Sequence, residues 1–219
     1  MAANLLSSFA IKVSLANRRR KWDLFMAEIA PNPEMLVLDV GFTDKHSLPT
    51  ANIIEKNYPY PERLTALGLD MPSPREFQRR YPHVTTVSYD GSRFPFADKQ
   101  FDVCWSNAVL EHVGNSRRQV AFLSEIKRVS RRAFVTTPNR HFPVEVHSRT
   151  PLLHFLPKNL FDRYLELAGK AWASGDYMYL LSESDLRTHL AQAGFGDYRL
   201  VRNRLCGFTM DFVVLADCG

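Results

Sequence analysis

The chain has 219 residues, of which 45% are hydrophobic and 23% are charged, and its formal net charge is +5. This is the balance of an ordinary globular protein, and at this length it can bury a core large enough for an enzyme. No run reaches the roughly 18 apolar residues that a membrane span needs. The three cysteines are scattered, without metal-ligand spacing. We therefore expect a cytoplasmic protein without a transmembrane segment, in which peripheral membrane contact stays open.

The first 30 residues read as a helical segment. Trp22, Phe25, Met26 and Ile29 recur at helical spacing and form one apolar face, and two prolines follow at positions 31 and 33. Next to this face stands the basic run of residues 18–21. Such a run is typical of a solvated helix face, although it also suits an anionic partner.

Apolar runs and helical patterns then alternate, which predicts a mostly parallel sheet covered on both faces. The strands are expected at 35–39, 63–70, 84–89, 101–105 and 133–137, with helices at 50–57, 74–80 and 116–129. Residues 138–180 are looser and rich in proline, histidine and aromatic residues. A capping box from Ser182 to Asp185 then starts a helix that ends at Gly194. Two final strands, 198–204 and 208–216, are joined so closely that they must form an antiparallel hairpin.

Acidic or polar residues end four of the predicted strands. The strands close with Asp39-Val-Gly41, with Asp70, with Asp90-Gly91 and with Asn107-Ala108. Ligands of open α/β sheets bind outside the carboxyl ends of the strands, where a carboxylate can accept hydrogen bonds from both hydroxyls of a ribose. Any one of these acidic residues serves equally well as a helix cap or turn former. Together, in this order, they favour a cofactor that contains a nucleoside.

Residues 87–113 contain Asp90-Gly91, then Phe-Pro-Phe at 94–96, Phe-Asp-Val at 101–103 and Val-Leu-Glu-His-Val at 109–113. This stretch resembles the centre of the methyltransferase type 11 group, and the run from Thr137 to His147 resembles a loop found in one of its branches. The similarity extends over about residues 34–217. The resemblance implies a class I S-adenosylmethionine-dependent methyltransferase with a Rossmann-like α/β fold. It also implies about seven strands and places strand 208–216 antiparallel between the fifth strand and strand 198–204.

The resemblance also implies roles for the residues at the strand ends. Asp39 and Gly41 would lie by the methionine part of S-adenosylmethionine, Asp70 would bind the ribose hydroxyls, Asp90 and Gly91 would flank the adenine, and Asn107 and Ala108 would line the cofactor. One departure is clear, because the group usually has a Gly-x-Gly-x-Gly turn after the first strand. Here Gly41 is followed by Phe-Thr-Asp-Lys-His-Ser-Leu-Pro, so this loop must take another path.

The candidate catalytic residues are Glu111, His112 and His147. Histidine titrates near neutrality, which suits a base that takes the proton of a hydroxyl acceptor. His112 equally suits a structural role at the start of a helix. No metal is predicted, because a hard cation prefers several oxygen ligands and the position upstream of Glu111 is Ala108.

We expect one methyltransferase domain over residues 1–219, with residues 138–180 as a cap on the acceptor side. The predicted reaction is methyl transfer, with O-methylation favoured, to a small-molecule, glycan or lipid-linked acceptor. One alternative is an RNA methyltransferase that uses the basic run at 18–21, although no RNA-binding module is present and a nucleic acid is not the expected partner. The other is a non-catalytic, methyltransferase-like binding protein, which the missing glycines make possible. The oligomeric state stays open.

Overall fold

The computed structural model describes residues 2–44, 50–70, 75–145 and 147–219, with the backbone alone for residues 2–10 and 176. The helices are α1 (Ala2–Ile29), α2 (Ile53–Asn57), α3 (Arg75–Arg80), α4 (Ser116–Val129), α5 (Lys158–Leu167) and α6 (Glu183–Gln192). The strands are β1 (Val37–Val40), β2 (Leu64–Leu69), β3 (Thr85–Tyr89), β4 (Phe101–Asn107), β5 (Ser130–Pro138), β6 (Val144–Glu145), β7 (Thr150–Pro151), β8 (Tyr198–Leu205) and β9 (Phe208–Asp217). Among the described helices, none is long and apolar enough to cross a membrane.

Seven strands form one mixed sheet in the order β3-β2-β1-β4-β5-β9-β8. The first five are parallel, whereas β9 pairs antiparallel with both β5 and β8. Cys206 and Gly207 join β8 to β9 with φ values of 50° and 85°, which suits a tight hairpin turn. This arrangement confirms the predicted class I architecture, including the position of β9 between β5 and β8.

The sheet is covered on both faces. On one face α1 packs through Trp22, Phe25 and Ile29 against Trp105 of β4 and Phe134 of β5. The rings of Trp105 and Phe134 stack 4.9 Å apart, and Phe25 meets both edge-on. On the other face the apolar sides of α4 and α6 cover the sheet. The apolar face predicted from the periodicity near the N-terminus is therefore the face through which α1 packs against the sheet.

The structure confirms the capping box that was predicted at the start of α6. The Ser182 side chain accepts from the Asp185 backbone N–H, and the Asp185 carboxylate accepts from the Ser182 backbone N–H. After the helix, Gly194 has a φ of +81°. A cap of this kind is local in sequence, so the prediction needed no knowledge of the tertiary fold.

Residues 138–180 contain more regular structure than their composition predicts. The short antiparallel pair β6–β7 and the ten-residue helix α5 both lie in this segment. Helix α5 buries only Phe161 and Leu165, in a small local cluster with Ala173 and Met178. Phe161, Tyr164 and Leu165 recur at helical spacing, so the helix carried a periodic signal that the loop-like composition of the whole segment concealed.

Candidate functional site

Two carboxylates emerge side by side where β2 and β3 end. Leu69 is paired with Tyr89, so Asp70 and Asp90 follow at the same level of the sheet edge, and both are exposed. Asp70 has a left-handed φ of 45°, and its backbone N–H donates to the Tyr89 carbonyl oxygen at 3.0 Å. The neighbouring Leu69 side chain is 53% exposed. Carboxylates beside an apolar surface give a nucleoside both hydrogen-bond acceptors and a face for its base.

Asp90 is already partly engaged within its own turn. Its Oδ1 accepts from the backbone N–H of Ser92 at 2.9 Å and from the Ser92 hydroxyl at 2.5 Å. These hydrogen bonds lower the pKa of the Asp90 carboxyl, so it is ionised at neutral pH. Gly91 has a φ of +86°, and a Cβ there would lie 3.0 Å from the Leu69 side chain. The turn thus brings its backbone close to Leu69 and leaves Oδ2 of Asp90 for a ligand.

Gly41 ends β1 at the point where the chain order of the sheet reverses, because β1 lies between β2 and β4. This switch point is where open α/β sheets bind ligands. Gly41 has a φ of +106°, and a Cβ there would lie 2.3 Å from Cγ2 of Val109. Both the backbone conformation and the approach of Val109 therefore require glycine.

Side chains hold the described part of the loop after Gly41, in place of a glycine-rich turn. Thr43 and Asn52 exchange two hydrogen bonds between backbone and side chain, at 3.0 and 2.7 Å. The Asp44 carboxylate accepts from the backbone N–H of Phe77 at 2.7 Å, and the Phe77 ring packs 4.4 Å from that of Phe42. The departure from the usual glycine pattern is thus accompanied by specific contacts to α2 and α3.

Asp39 is buried, and the group that interacts with it is the buried carboxyl of Glu55 in α2. Burial raises the pKa of Asp39 well above its usual value, and the nearby Glu55 raises it further. Burial also raises the pKa of Glu55. The pair therefore favours at least one protonated carboxyl, and Asp39 supports β1 from inside the fold rather than from the exposed edge.

Asn107 and Ala108 end β4 against β5. Oδ1 of Asn107 accepts from the Thr136 hydroxyl at 2.8 Å, and the Ala108 N–H donates to the Thr136 carbonyl oxygen at 3.0 Å. Ala108 has a φ of 59°, which turns the chain sharply after the strand. On the α1 side, the ammonium of Lys21 lies 3.4 Å from the Thr136 hydroxyl oxygen and 3.6 Å from the Asp211 carboxylate.

The basic run at 18–21 is therefore not one exposed phosphate-binding surface, which corrects the basis of the RNA alternative. Lys21 is buried, and burial lowers its pKa against the opposing charge of Asp211. Arg20 donates to the Arg204 carbonyl oxygen, and Arg19 pairs with Asp23. Nε of Arg18 is buried without a hydrogen-bond partner among the described residues. Three of the four cations thus contact protein groups.

Glu111, His112 and His147 come together above the ends of β4 and β5. Nε2 of His112 lies 3.1 Å from Nε2 of His147, and these atoms are 3.9 and 3.6 Å from Oε1 of Glu111. Glu111 is fully buried, whereas the imidazoles of His112 and His147 are 25% and 20% exposed. The three candidate catalytic residues thus form one cluster, which we call the histidine cluster, with both rings open to solvent on one side.

Hydrogen bonds behind the histidine cluster orient each of its members. Nδ1–H of His112 donates to the carbonyl oxygen of Tyr177 at 2.8 Å, since a carbonyl can only accept. Nδ1–H of His147 donates to Oε1 of Glu145 at 2.9 Å, and the Thr137 hydroxyl donates to Oε2 of Glu111 at 3.1 Å. In the neutral rings, both Nε2 lone pairs therefore point into the same space.

The charges around His147 set its protonation. Burial disfavours its charged form, but the hydrogen bond that His147 donates to Glu145 and the charges of Glu111 and Glu145 outweigh this, so the pKa of His147 is raised. Burial likewise opposes ionisation of Glu145, yet hydrogen bonds from His147 and Ser148 lower its pKa to about 2. Glu145 is thus a permanent carboxylate that holds the ring.

Exposed aromatic rings lie beside the histidine cluster. The Tyr177 ring is 40% exposed and lies 4.7 Å from the His112 ring. The Trp172 ring is 56% exposed and meets that of Tyr177 edge-on at 5.6 Å. Tyr177 and Trp172, the aromatic rim, offer stacking surface to a ring-shaped molecule.

Glu145, Thr137 and Tyr177 also belong to this site, and they were not predicted from the sequence, whereas Trp172 was expected on the acceptor side. Their roles depend on contacts between distant segments, although Glu145 two residues before a candidate histidine was a local signal. A cavity of about 260 Å³, lined in part by residues of the 138–180 segment, was not predicted either. Arg140, His154, Lys158 and His189 contribute to its lining, and none of the predicted site residues does. The segment thus forms one side of a second cavity, in addition to carrying His147 of the histidine cluster.

Known structures share this fold. An S-adenosylmethionine-dependent methyltransferase from Methanosarcina mazei is 17% identical, with 88% of this chain and 96% of that chain covered and a TM-score of 0.53. Magnesium protoporphyrin IX methyltransferase from Synechocystis, with bound S-adenosylhomocysteine, is 16% identical, with coverages of 95% and 85% and a TM-score of 0.55. A methyltransferase from Aquifex aeolicus is 17% identical, with coverages of 89% and 87% and a TM-score of 0.52. At these identities the likeness concerns the fold.

No curated protein sequence compared with the chain matches it. The model of the methyltransferase type 11 family, described as a methyltransferase domain, matches residues 38–133. This match covers β1 to the first part of β5, including the strand ends that carry Asp70, Asp90 and Asn107. The exposed carboxylates, the exposed Leu69 and the left-handed Gly91 fit the ribose and adenine of the cofactor that such domains use. Residues 38–133 are thus a methyltransferase domain of the type 11 family, and the protein is an S-adenosylmethionine-dependent methyltransferase.

Proposed function

We propose that the protein methylates a hydroxyl group on a ring-bearing acceptor that lies between the histidine cluster and the aromatic rim. The observation that carries this proposal is the 3.1 Å approach of the two Nε2 atoms, on rings whose Nδ1–H groups are both engaged. Two basic nitrogens thus share one solvent-accessible point. Such an arrangement suits an acceptor that must lose a proton, whereas an amine or thiolate has less need of it.

The cofactor lies, in this proposal, along the ends of β2, β1 and β4. Asp70 accepts from the ribose hydroxyls, and Asp90 with Gly91 flanks the adenine, for which Leu69 offers an apolar surface. Gly41 lies beside the methionine part, and Asn107 and Ala108 line the cofactor from β4. Asp39 acts from behind this edge, through the buried pair with Glu55. The bound cofactor supplies an electrophilic methyl group on a sulfonium.

The chain's own contribution to the chemistry is alignment, exclusion of water and removal of one proton. His112 or His147 accepts the hydroxyl proton at Nε2 as the acceptor oxygen bonds to the methyl carbon. The bond from that carbon to the sulfonium sulfur breaks at the same time, and the neutral thioether S-adenosylhomocysteine is the leaving group. Glu111 and Glu145 are carboxylates on the two sides of His147, so they stabilise the imidazolium that results. A positioned base of this kind contributes about 10²- to 10⁴-fold in rate.

Residues 138–180 provide the acceptor side. Nine of the thirteen large hydrophobic side chains that are exposed among the described residues lie between positions 144 and 177. This concentration favours an acceptor with an apolar part, such as a quinone-like ring or a lipid-linked headgroup. The aromatic rim would also stack on a sugar ring, so a glycan acceptor fits the same surface. The acceptor class is thus a hydroxylated ring with an apolar face.

The test is a methyl-transfer assay with radiolabelled cofactor on a panel of hydroxylated rings: phenols, quinols and glycosides, each with and without an alkyl chain. We expect transfer to a hydroxyl, and we expect His147→Ala to lower kcat by about 10²- to 10⁴-fold while the cofactor Kd stays within about twofold. The matched control is His141→Ala, because His141 is an exposed histidine of the same segment. Unchanged kcat in His147→Ala would exclude the histidine as the base.

A further inference from the structure

We propose that Glu111, His112 and His147 bind a divalent first-row transition-metal ion. Each offers one ligand atom, and the three atoms lie within 4.8 Å of one another. The sequence alone pointed away from a metal, because a hard cation prefers several oxygen ligands and the position upstream of Glu111 is Ala108. His147, which is 35 positions away from His112, supplies the third ligand from another loop.

The tautomers of the two histidines carry this inference. The Tyr177 carbonyl oxygen and the Glu145 carboxylate fix the proton of each neutral ring on Nδ1, so two Nε2 lone pairs face each other at 3.1 Å. Two lone pairs at this distance repel unless a proton or a cation lies between them. Adjacent ligands at about 2.1 Å from a metal are themselves separated by about 3.0–3.4 Å, depending on whether the site is octahedral or tetrahedral. The observed spacing lies in this range.

The third ligand is an unsatisfied buried carboxylate oxygen. Oε1 of Glu111 is buried and has no hydrogen-bond partner among the described residues, although Oε2 accepts from Thr137. An unpaired buried carboxylate oxygen costs free energy, and a cation next to it would remove that cost. Oε1 lies 3.6 Å from Nε2 of His147 and 3.9 Å from Nε2 of His112. All three donors thus converge from one side.

The surroundings are those of a metal site rather than of a chance cluster. Every ligand is oriented by a hydrogen bond from behind: His112 by Tyr177, His147 by Glu145 and Glu111 by Thr137. Such outer contacts are typical of metal-binding histidines and carboxylates. Glu111 and Glu145 supply two negative charges near the site, and Arg18 is a nearby positive charge. Two imidazoles and one carboxylate suit Zn²⁺, Mn²⁺, Fe²⁺ or Co²⁺ better than Mg²⁺ or Ca²⁺.

This inference deepens the proposed function. The role of the metal ion in catalysis rests on that function, whereas metal binding itself does not. The two rings are partly exposed, so an acceptor could approach the three ligand side chains from the solvent side. Held by Glu111, His112 and His147, such an ion would supply Lewis acidity, which would make the hydroxyl of a nearby acceptor easier to deprotonate. The metal ion would thereby replace the imidazole as the group that activates the hydroxyl.

Metal binding is measured directly on the full chain after treatment with a chelator. We expect Co²⁺ to bind with one-to-one stoichiometry and to give visible absorption bands, and we expect Zn²⁺ to compete for the same site. His112→Ala, His147→Ala and Glu111→Gln should each weaken binding at least about tenfold, and Glu145→Gln should do so by about 10- to 100-fold through the orientation of His147. His141→Ala is the matched control and should bind like the unaltered protein. Thermal unfolding without metal shows whether each variant is folded.

The possible outcomes separate this inference from the proposed function. Absence of one-to-one binding, or equal binding by unaltered protein and folded His112→Ala and His147→Ala variants, would overturn the metal site. If no metal binds while His147→Ala still lowers kcat, the histidine acts as a base and the metal inference fails alone. If metal binds at these residues but no hydroxyl is methylated, the proposed acceptor is wrong and the metal site stands.

Discussion

The Nε2 atoms of His112 and His147 lie 3.1 Å apart, and each ring is held by a hydrogen bond on its opposite nitrogen. The first histidine follows β4, whereas the second lies in the loop after β6, so the contact exists only in the folded chain. The order of the strands brings both loops to the edge of the sheet where the cofactor is expected. The catalytic proposal depends on this contact.

Asp70 should contribute directly to cofactor binding. Asp70→Ala removes the carboxylate proposed to accept from the ribose hydroxyls, and we expect a loss of about 1.5–3 kcal/mol, which is the range for hydrogen bonds to a charged group. Titration calorimetry with S-adenosylmethionine measures it. Asp197→Ala is the control, because Asp197 is exposed in the turn before β8. Equal affinity in the two variants would remove Asp70 from the site.

Gly41 should resist even the smallest substitution. Gly41→Ala is strained for two reasons. A residue with a Cβ rarely adopts a φ of +106°, and the new Cβ would lie only 2.3 Å from Cγ2 of Val109. We expect a loss of about 1–3 kcal/mol in the free energy of unfolding, measured with urea. Adding Val109→Ala should recover part of it relative to Gly41→Ala alone, because the steric contact is relieved. Gly196→Ala, with no atom within 4 Å of its Cβ, should be nearly neutral. A Gly41→Ala protein as stable as Gly196→Ala would contradict this account of the switch point.

The buried pair of Asp39 and Glu55 should make stability depend on pH. Both pKa values are raised in the folded state, so the folded chain binds more protons than the unfolded chain above pH of about 4. The free energy of unfolding therefore falls as pH rises, by at most about 1.4 kcal/mol per pH unit for each extra proton. Glu55→Gln should be more stable than the unaltered protein at neutral pH, and the difference should shrink toward pH 4.

Urea unfolding at several pH values between 4 and 8 tests this dependence. Glu76→Gln is the control, because Glu76 is exposed in α3 and its removal should give no such trend. A difference between Glu55→Gln and the unaltered protein that is the same at every pH would show that the carboxyl pair is not protonated in the folded state.

The aromatic rim should govern the acceptor and leave the cofactor untouched. Trp172→Ala and Tyr177→Ala remove stacking surface that is worth about 0.5–1.5 kcal/mol per ring pair, so KM for a ring acceptor should rise about two- to tenfold. The cofactor Kd should not change. Tyr177→Phe keeps the ring and should retain the KM of the unaltered protein. Unchanged KM in both alanine variants would place the acceptor elsewhere.

The sheet could be predicted because its strands are buried on both faces and read as continuous apolar runs. Residues 101–105, for example, form the core of β4 without any tertiary information. The capping box at Ser182 was equally local. By contrast, β6 and β7 are two residues long and too short to give a pattern, and the helical pattern of α5 was concealed by the loop-like composition around it.

The candidate site was predictable only as a set of residues at the sheet edge. The sequence placed His112 and His147 at the same edge of the sheet, with Glu111 next to His112, but the contact among the three depends on how residues 138–180 fold back. It gave no sign that Lys21 would be buried beside Asp211, because a basic run on a helix normally faces solvent. Long-range pairs of polar residues leave no periodic signal in a single sequence.

A double-mutant cycle on kcat tests the central claim most directly: His112→Ala, His147→Ala and the double variant, each assayed with a hydroxyl acceptor at saturating cofactor. If the two histidines act as one unit at a shared point, either single change should lower kcat by about 10²- to 10⁴-fold, and the double variant should be hardly slower than the slower single one. Losses that add independently, as for two distant residues, or single variants that keep the kcat of the unaltered protein, would contradict the account.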